Sequence, residues 1–118
     1  MTRRAAKPVD LTLERQIQRE VIEIYKNLGC AVIDFTQHGR LGSGTRQTPG
    51  IADLKIYCRR IVATWWHEVK TPTGEQSEAQ IEFQALVEAC RETYVLGGEE
   101  AALAQLRAIG LVAKPGVR

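Results

Sequence analysis

The chain has 118 residues, the size of one ordinary domain, and its 44% hydrophobic and 25% charged residues predict a packed globular core rather than disorder. The net charge of +2 does not select a class of partner by itself. The sequence shows no membrane span, secretion signal, P-loop or close pair of metal-binding cysteines or histidines, which argues against membrane, secreted, nucleotide-binding and zinc-dependent classes.

The first half of the chain predicts one helix followed by three strands. The composition of residues 1–10 predicts a flexible basic tail. Apolar residues at helical spacing then predict a helix to about residue 28, which Gly29 ends. The strands are predicted at about 30–35, 51–60 and 61–69, with Arg59 and Arg60 at the turn between the last two. The connection over residues 37–50 is rich in glycine and polar residues, and a connection of this length is typically functional or disordered.

The second half adds a helix, a strand and a helix. Ser77 opens a helix that runs to about residue 91, with an apolar face formed by Phe83, Leu86, Val87 and Cys90. A short strand follows at 93–98, and a last helix covers 99–108. The order α-β-β-β-α-β-α predicts one α/β domain over residues 11–112, with a mixed sheet flanked by helices and a basic tail at 113–118.

Three isolated cysteines, Cys30, Cys58 and Cys90, lie in apolar surroundings. We interpret them as reduced core residues, which predicts a cytoplasmic protein. His67 alternates with two core positions of its strand, so we interpret it as a core or interface residue rather than a metal ligand.

Charged side chains stand at the ends of two neighbouring predicted strands. Asp53 begins the second strand, and Glu68 lies near the end of the third. In an antiparallel hairpin these positions meet, and two adjacent carboxylates repel unless a cation lies between them. Oxygen ligands of this kind suit Mg²⁺ or Mn²⁺, and the main-chain carbonyl of Val69 is a plausible further ligand. The pattern predicts a metal site.

Lys70 lies two residues after Glu68, so both side chains leave the same face of the strand. Its ammonium group could orient or deprotonate an attacking water, or offset negative charge on a phosphate. The spacing alone leaves a second interpretation open, in which Glu68 and Lys70 form a surface ion pair on an edge strand.

The segments GIADLKIY (50–57) and WHEVKTPTGEQSEAQ (66–80) resemble the PD-(D/E)XK nuclease signature, and more narrowly that of the virus-type replication-repair nuclease domain, VRR-NUC. In that family a G-x-P-D stretch precedes an apolar strand, and an E-V-K strand, a polar break and a helix opening with S-x-x-Q follow. Asp53, Glu68, Lys70 and Gln80 match that pattern in order. The stretch ERQIQ, which begins at Glu14, matches the family's first helix.

The resemblance covers residues 14–97 and departs from the family at Ala52, where proline is usual. It implies a restriction-endonuclease-like αβββαβ core. It also implies a catalytic role for Glu14, Asp53, Glu68, Lys70 and Gln80, with Glu14 as a further candidate metal ligand. Two of these residues keep a structural alternative: Glu14 as a solvated helix charge, and Gln80 as part of a capping box with Ser77.

The predicted function is a Mg²⁺- or Mn²⁺-dependent DNA endonuclease. Its expected DNA contacts are Arg40, Arg46 and His38 in the 37–50 connection and Arg3 and Arg4 in the tail, because basic side chains bind phosphates. The resemblance further implies a homodimer of bacterial or phage origin that is selective for branched DNA, such as a Holliday junction. Two alternatives remain: a DNA-binding module without activity, and a small α/β protein-interaction domain.

Overall fold

The structure, a computed structural model, describes residues 11–36 and 48–113. In chain order the elements are α1 (Leu11–Asn27), β1 (Ala31–Asp34), β2 (Leu54–Cys58), β3 (Ala63–Val69), α2 (Glu78–Ala89), β4 (Thr93–Gly97) and α3 (Glu99–Ala108). The strands form one sheet in the order β1-β2-β3-β4, in which only the β3–β4 pair is parallel. The predicted α/β fold with a mixed sheet flanked by helices is confirmed. The predicted tail at 1–10 and nearly all of that at 113–118 lie outside the described residues.

The main core lies between one face of the sheet and the helices α1 and α3. The helical spacing of apolar residues in α1 places Val21 and Tyr25 against the sheet, fully buried. Gly29, with a φ of 84°, ends this helix as its sequence position predicts. The strands contribute alternate residues to this core, as the period of a strand requires: Leu54, Ile56, Cys58, Trp65, Val69 and Val95.

His67 belongs to this core, which confirms its structural interpretation. Its side chain is 0% exposed, and its Nε2 lies 2.9 Å from the Gly97 carbonyl while its Nδ1 lies 2.6 Å from the Tyr25 hydroxyl. A carbonyl can only accept, so Nε2 carries the proton and Nδ1 accepts from the hydroxyl. Burial lowers the pKa of His67 to about 4, so the imidazole is neutral at physiological pH.

The other face of the sheet is covered in part by α2. Trp66 contacts Phe35 and Phe83 there, with ring centroids 5.9 and 5.0 Å apart. The predicted apolar face of α2 is wrong in part, because Leu86 is 61% exposed and Cys90 is exposed at the end of the helix. The helix packs mainly on β4 through the side that carries Phe83 and Val87, so its apolar stripe is wider than the surface it covers.

Cys90 is therefore not a core residue, whereas Cys30 and Cys58 are buried as predicted. Arg59 and Arg60 form the exposed turn between β2 and β3, also as predicted. Within the described residues no helix combines the length and apolar character needed to cross a membrane.

Candidate active site

The antiparallel pairing of β2 and β3 brings two carboxyl groups together. Leu54 pairs with His67, so the next pair along the ladder is Asp53 and Glu68, which lie on the face opposite the main core. Their carboxyl groups are close enough to share a hydrogen bond, and Asp53 Oδ2 also accepts a hydrogen bond of 2.8 Å from the main-chain N–H of Val69. Glu68 is buried, with 1% of its surface exposed.

Burial next to a second acid disfavours the ionised state of both groups. Desolvation, reinforced by the charge of Asp53, raises the pKa of Glu68 to about 8. Desolvation likewise raises the pKa of Asp53 to about 6, although the Val69 N–H opposes this change. Near neutral pH the metal-free pair therefore favours sharing a proton over carrying two negative charges.

Two further side chains meet the Glu68 carboxyl group at one of its two oxygens. The ammonium Nζ of Lys70 lies 3.6 Å from Glu68 Oε2, and the amide Nε2 of Gln80 donates a hydrogen bond of 2.8 Å to the same atom. When both carboxyl groups are ionised, the other oxygen, Oε1, is buried and has no hydrogen-bond partner in the described structure. A buried acceptor without a partner is costly, so this atom is a candidate ligand position.

Gln80 forms the predicted capping box and also contacts Glu68, while its catalytic role stays a prediction. Its Oε1 accepts a hydrogen bond of 2.8 Å from the Ser77 N–H, and Ser77 Oγ accepts one of 3.2 Å from the Gln80 N–H, which completes the capping box. Its Nε2 is thereby directed at Glu68. The capping box at the start of α2 fixes the Gln80 side chain, and the hydrogen bond from the Gln80 amide orients the carboxyl group of Glu68.

Glu14 stands at the edge of the carboxylate pair. It is half-buried on α1 and lines the same cavity as Asp53, and its charge contributes to the raised pKa of Asp53. Within the described ranges no three acidic, histidine or cysteine side chains form a group that could hold a metal ion. The structure thus brings Asp53, Glu68, Lys70 and Gln80 together and places Glu14 beside them.

One solved structure, titled "VRR_NUC domain", shares this architecture with a TM-score of 0.61. The two chains are 20% identical, and the match covers 80% of this chain and 94% of the other. The chain has the fold of a VRR_NUC domain. No family model and no curated protein matches the sequence.

The VRR_NUC fold confirms the architecture that the sequence resemblance implied. The catalytic and metal roles of its residues remain predictions. Asp53 and Glu68 fit a divalent cation, because oxygen donors are the ligands that Mg²⁺ and Mn²⁺ prefer and one buried oxygen of Glu68 lacks a partner. The predicted carbonyl ligand belongs to Val69, whose N–H is already fixed to Asp53. The predicted DNA contacts Arg40, Arg46, His38, Arg3 and Arg4 all lie outside the described residues.

Sequence reasoning missed the role of one glycine in this VRR_NUC fold. Gly50 has a φ of 76°, and a Cβ at this position would lie 2.2 Å from the carbonyl oxygen of Ala79. The turn before Asp53 therefore packs directly on the first turn of α2, which carries the Gln80 side chain that contacts Glu68. The sequence signals were that this glycine closes the 37–50 connection and begins the stretch matched to G-x-P-D.

Sequence reasoning also missed two arginines on α1. Arg15 and Arg19 line the cavity that contains Glu14 and Asp53. Their spacing of four residues places them on one face of the helix, and Glu14 directly precedes Arg15 in the sequence. That spacing was the available signal, but only the structure shows that this face lies beside Asp53.

Proposed function

We propose that this protein is a metal-dependent nuclease that hydrolyses phosphodiester bonds in DNA. The observation that carries the proposal is the pair of the half-buried Asp53 and the buried Glu68, in which Lys70 and Gln80 contact one oxygen of Glu68 and leave the other without a donor. A structural ion pair needs neither a second acid nor a buried oxygen without a donor. The similarity of the fold to a VRR_NUC domain supports the same class of function.

The metal would be held by Asp53 and Glu68, with Glu14 and the Val69 carbonyl as further candidates. When bound, Mg²⁺ or Mn²⁺ would supply Lewis-acid chemistry for attack of water on a phosphodiester. The N–H of Val69 fixes one oxygen of Asp53, and the amide of Gln80 fixes one oxygen of Glu68. The chain thereby presents two oriented carboxylates at the ends of adjacent strands.

Lys70 would act on the phosphate rather than on the metal. Its ammonium group is 3.6 Å from Glu68 Oε2, and 15% of its side chain is exposed. The group is thus held beside the carboxylate pair and still accessible to a substrate. A preorganised positive charge at this place would stabilise the negative charge that develops on the phosphate during hydrolysis, and the same group could orient the attacking water.

Selectivity for branched DNA and assembly as a homodimer are the finer parts of this proposal. They rest on the sequence resemblance to VRR-NUC domains. A dimer with two-fold symmetry would place two sites on one four-way junction, which suits paired nicks. The competing proposal, a DNA-binding module without activity, is less consistent with a site in which both acids, the lysine and the glutamine are present and in contact.

The test is cleavage of labelled linear duplex, flap and four-way-junction DNA in Mg²⁺, with EDTA as the metal-free control. We expect cleavage that depends on the metal and is abolished in Asp53→Asn and Glu68→Gln. The matched control is Glu82→Gln, which removes an exposed carboxylate from α2 and should retain full activity. Binding of junction DNA without any cleavage would support the inactive module, and absence of both binding and cleavage would reject the nuclease proposal.

A further inference from the structure

Two cavities flank the carboxylate pair, and both contain acidic and basic side chains. One lies along α1 and contains Arg15 and Arg19 together with Glu14, Asp34 and Asp53. The other lies on the β4 side and contains Lys70 with the carboxylates of Glu75, Glu99 and Glu100. Glu14 and Asp53 are candidate metal ligands, whose negative charge a bound cation would offset, so the phosphates of a DNA backbone favour the side that carries the two arginines.

Arg15 and Arg19 are available for such contacts. Both side chains are exposed, and neither forms an ion pair with any residue in the described part of the chain. Residues four apart on a helix lie on neighbouring turns of one face, so the two guanidinium groups form a row along α1. Exposed arginines are usually only solvated, but these two line the cavity that also contains the candidate metal ligand Asp53.

The cavity on the β4 side is poorly suited to a phosphate backbone. Glu99 and Glu100 occupy the first turn of α3, and the walls of the cavity include the half-exposed apolar side chains Ile81 and Leu96. Carboxylates at this position repel phosphates and cancel the attraction that the start of a helix would otherwise provide. The two sides of the site thus differ in their positive groups, with two exposed arginines on the α1 side and the mostly buried Lys70 on the β4 side.

We propose that Arg15 and Arg19 form a binding site for the phosphodiester backbone, so that DNA reaches the carboxylate pair across α1. This inference rests on the proposed nuclease function and adds the path of the substrate. The arginines would contact phosphates without reading base sequence. They are binding residues rather than catalytic ones, because they lie beside the carboxylate pair and form no contact with Glu68 or Lys70.

The experiment compares Arg15→Ala/Arg19→Ala with the wild-type chain and with Arg59→Ala/Arg60→Ala. The control pair is also exposed and removes the same charge, but it lies in the β2–β3 turn, at the opposite end of β2 from Asp53. Binding of a labelled four-way junction is measured by fluorescence anisotropy over a range of salt concentrations in EDTA and in Ca²⁺. Cleavage in Mg²⁺ is measured in parallel under single turnover.

We expect the α1 double variant to bind less tightly and to lose about two units of the slope of log K against log salt, since each phosphate contact contributes about 0.9. Its cleavage rate at saturating protein should stay near that of the wild type. Arg15→Lys/Arg19→Lys should keep the slope, because lysine retains the charge. The control pair should leave the slope unchanged. Thermal unfolding should agree among all variants, because the replaced side chains are exposed.

Two results would overturn the inference. One is an unchanged salt slope in the α1 double variant, and the other is an equal loss in the control pair. A further variant, Glu99→Gln/Glu100→Gln, should bind DNA as tightly as the wild type or more tightly, and weaker binding would place the backbone on the β4 side instead.

If the wild-type chain binds DNA without cleaving it in Mg²⁺, the nuclease proposal fails while the arginine site is still tested. If it does not bind DNA at all, both proposals fail.

Discussion

Replacing Glu68 with glutamine is expected to stabilise the metal-free protein at pH 9 and to have little such effect at pH 5. The carboxyl group of Glu68 is buried beside Asp53, and burial raises its pKa to about 8. A group whose pKa is higher in the folded state than in the unfolded state makes folding less favourable as pH rises between the two values. Glutamine has nearly the same shape and does not titrate.

The size of the effect follows from the pKa. A rise from 4.5 to about 8 corresponds to at most about 5 kcal/mol of unfolding free energy at pH 9, and to less than about 1 kcal/mol at pH 5. The variant also loses the attraction between Glu68 and Lys70, which opposes the gain. We therefore expect the difference between variant and wild type to grow by about 2–4 kcal/mol from pH 5 to pH 9.

The assay is urea unfolding in EDTA at pH 5, 7 and 9, with Glu82→Gln as the control. The exposed Glu82 should give a difference that does not vary with pH. Adding Mg²⁺ should stabilise the wild-type chain by about 2.7 kcal/mol at a hundred times its Kd and should not stabilise Glu68→Gln. A Glu68→Gln effect that is independent of pH would refute the argument from burial. Equal stabilisation of both proteins by Mg²⁺ would refute the metal assignment.

Three other predictions concern neighbouring residues. Lys70→Met should slow single-turnover cleavage by about 10²–10³-fold while DNA binding is retained, and Lys70→Arg should restore little of this rate. Full activity in Lys70→Met would mean that Lys70 forms only a structural ion pair with Glu68. Gly50→Ala should destabilise the fold more than Gly110→Ala in urea unfolding, because both have a positive φ but only Gly50 contacts a neighbouring backbone, and equal costs would contradict the close approach to α2. The His67 imidazole should remain neutral in an NMR titration until the pH falls well below 6. The stability that the neutral imidazole contributes should therefore be complete above pH 6.5 and be lost as the pH falls towards 4. A measured pKa near 6.5 would contradict the buried contacts of His67 with Tyr25 and Gly97.

The element order and the carboxylate pair were predictable because both depend on short-range rules. A strand alternates its faces, and an antiparallel hairpin pairs positions at fixed offsets, so Asp53 and Glu68 could be placed together from spacing alone. The capping box at Ser77 also has a local signature. These rules fix which residues meet, while their roles in chemistry remain to be tested.

The residues that sequence reasoning missed depend on contacts between distant segments. The position of Gly50 matters because it approaches the backbone of α2, which lies about thirty residues further along the chain. The wrong assignment of Leu86 and Cys90 has the same origin, because the spacing of apolar residues cannot show how much of a helix its neighbours cover. Arg15 becomes a candidate binding residue only because the fold places α1 beside Asp53, which the sequence does not show.

The two faces of β3 are coupled through the carbonyl of Gly97. On the core face the neutral His67 donates a hydrogen bond of 2.9 Å to this carbonyl, and its tautomer is fixed because the Tyr25 hydroxyl donates to its other nitrogen. The same carbonyl accepts a bond of 3.3 Å from the main-chain N–H of Lys70. The core thus fixes the backbone that carries the lysine. Because rigid strands hold functional groups more precisely than loops do, a lysine at the end of this strand is positioned by the folding of the core itself.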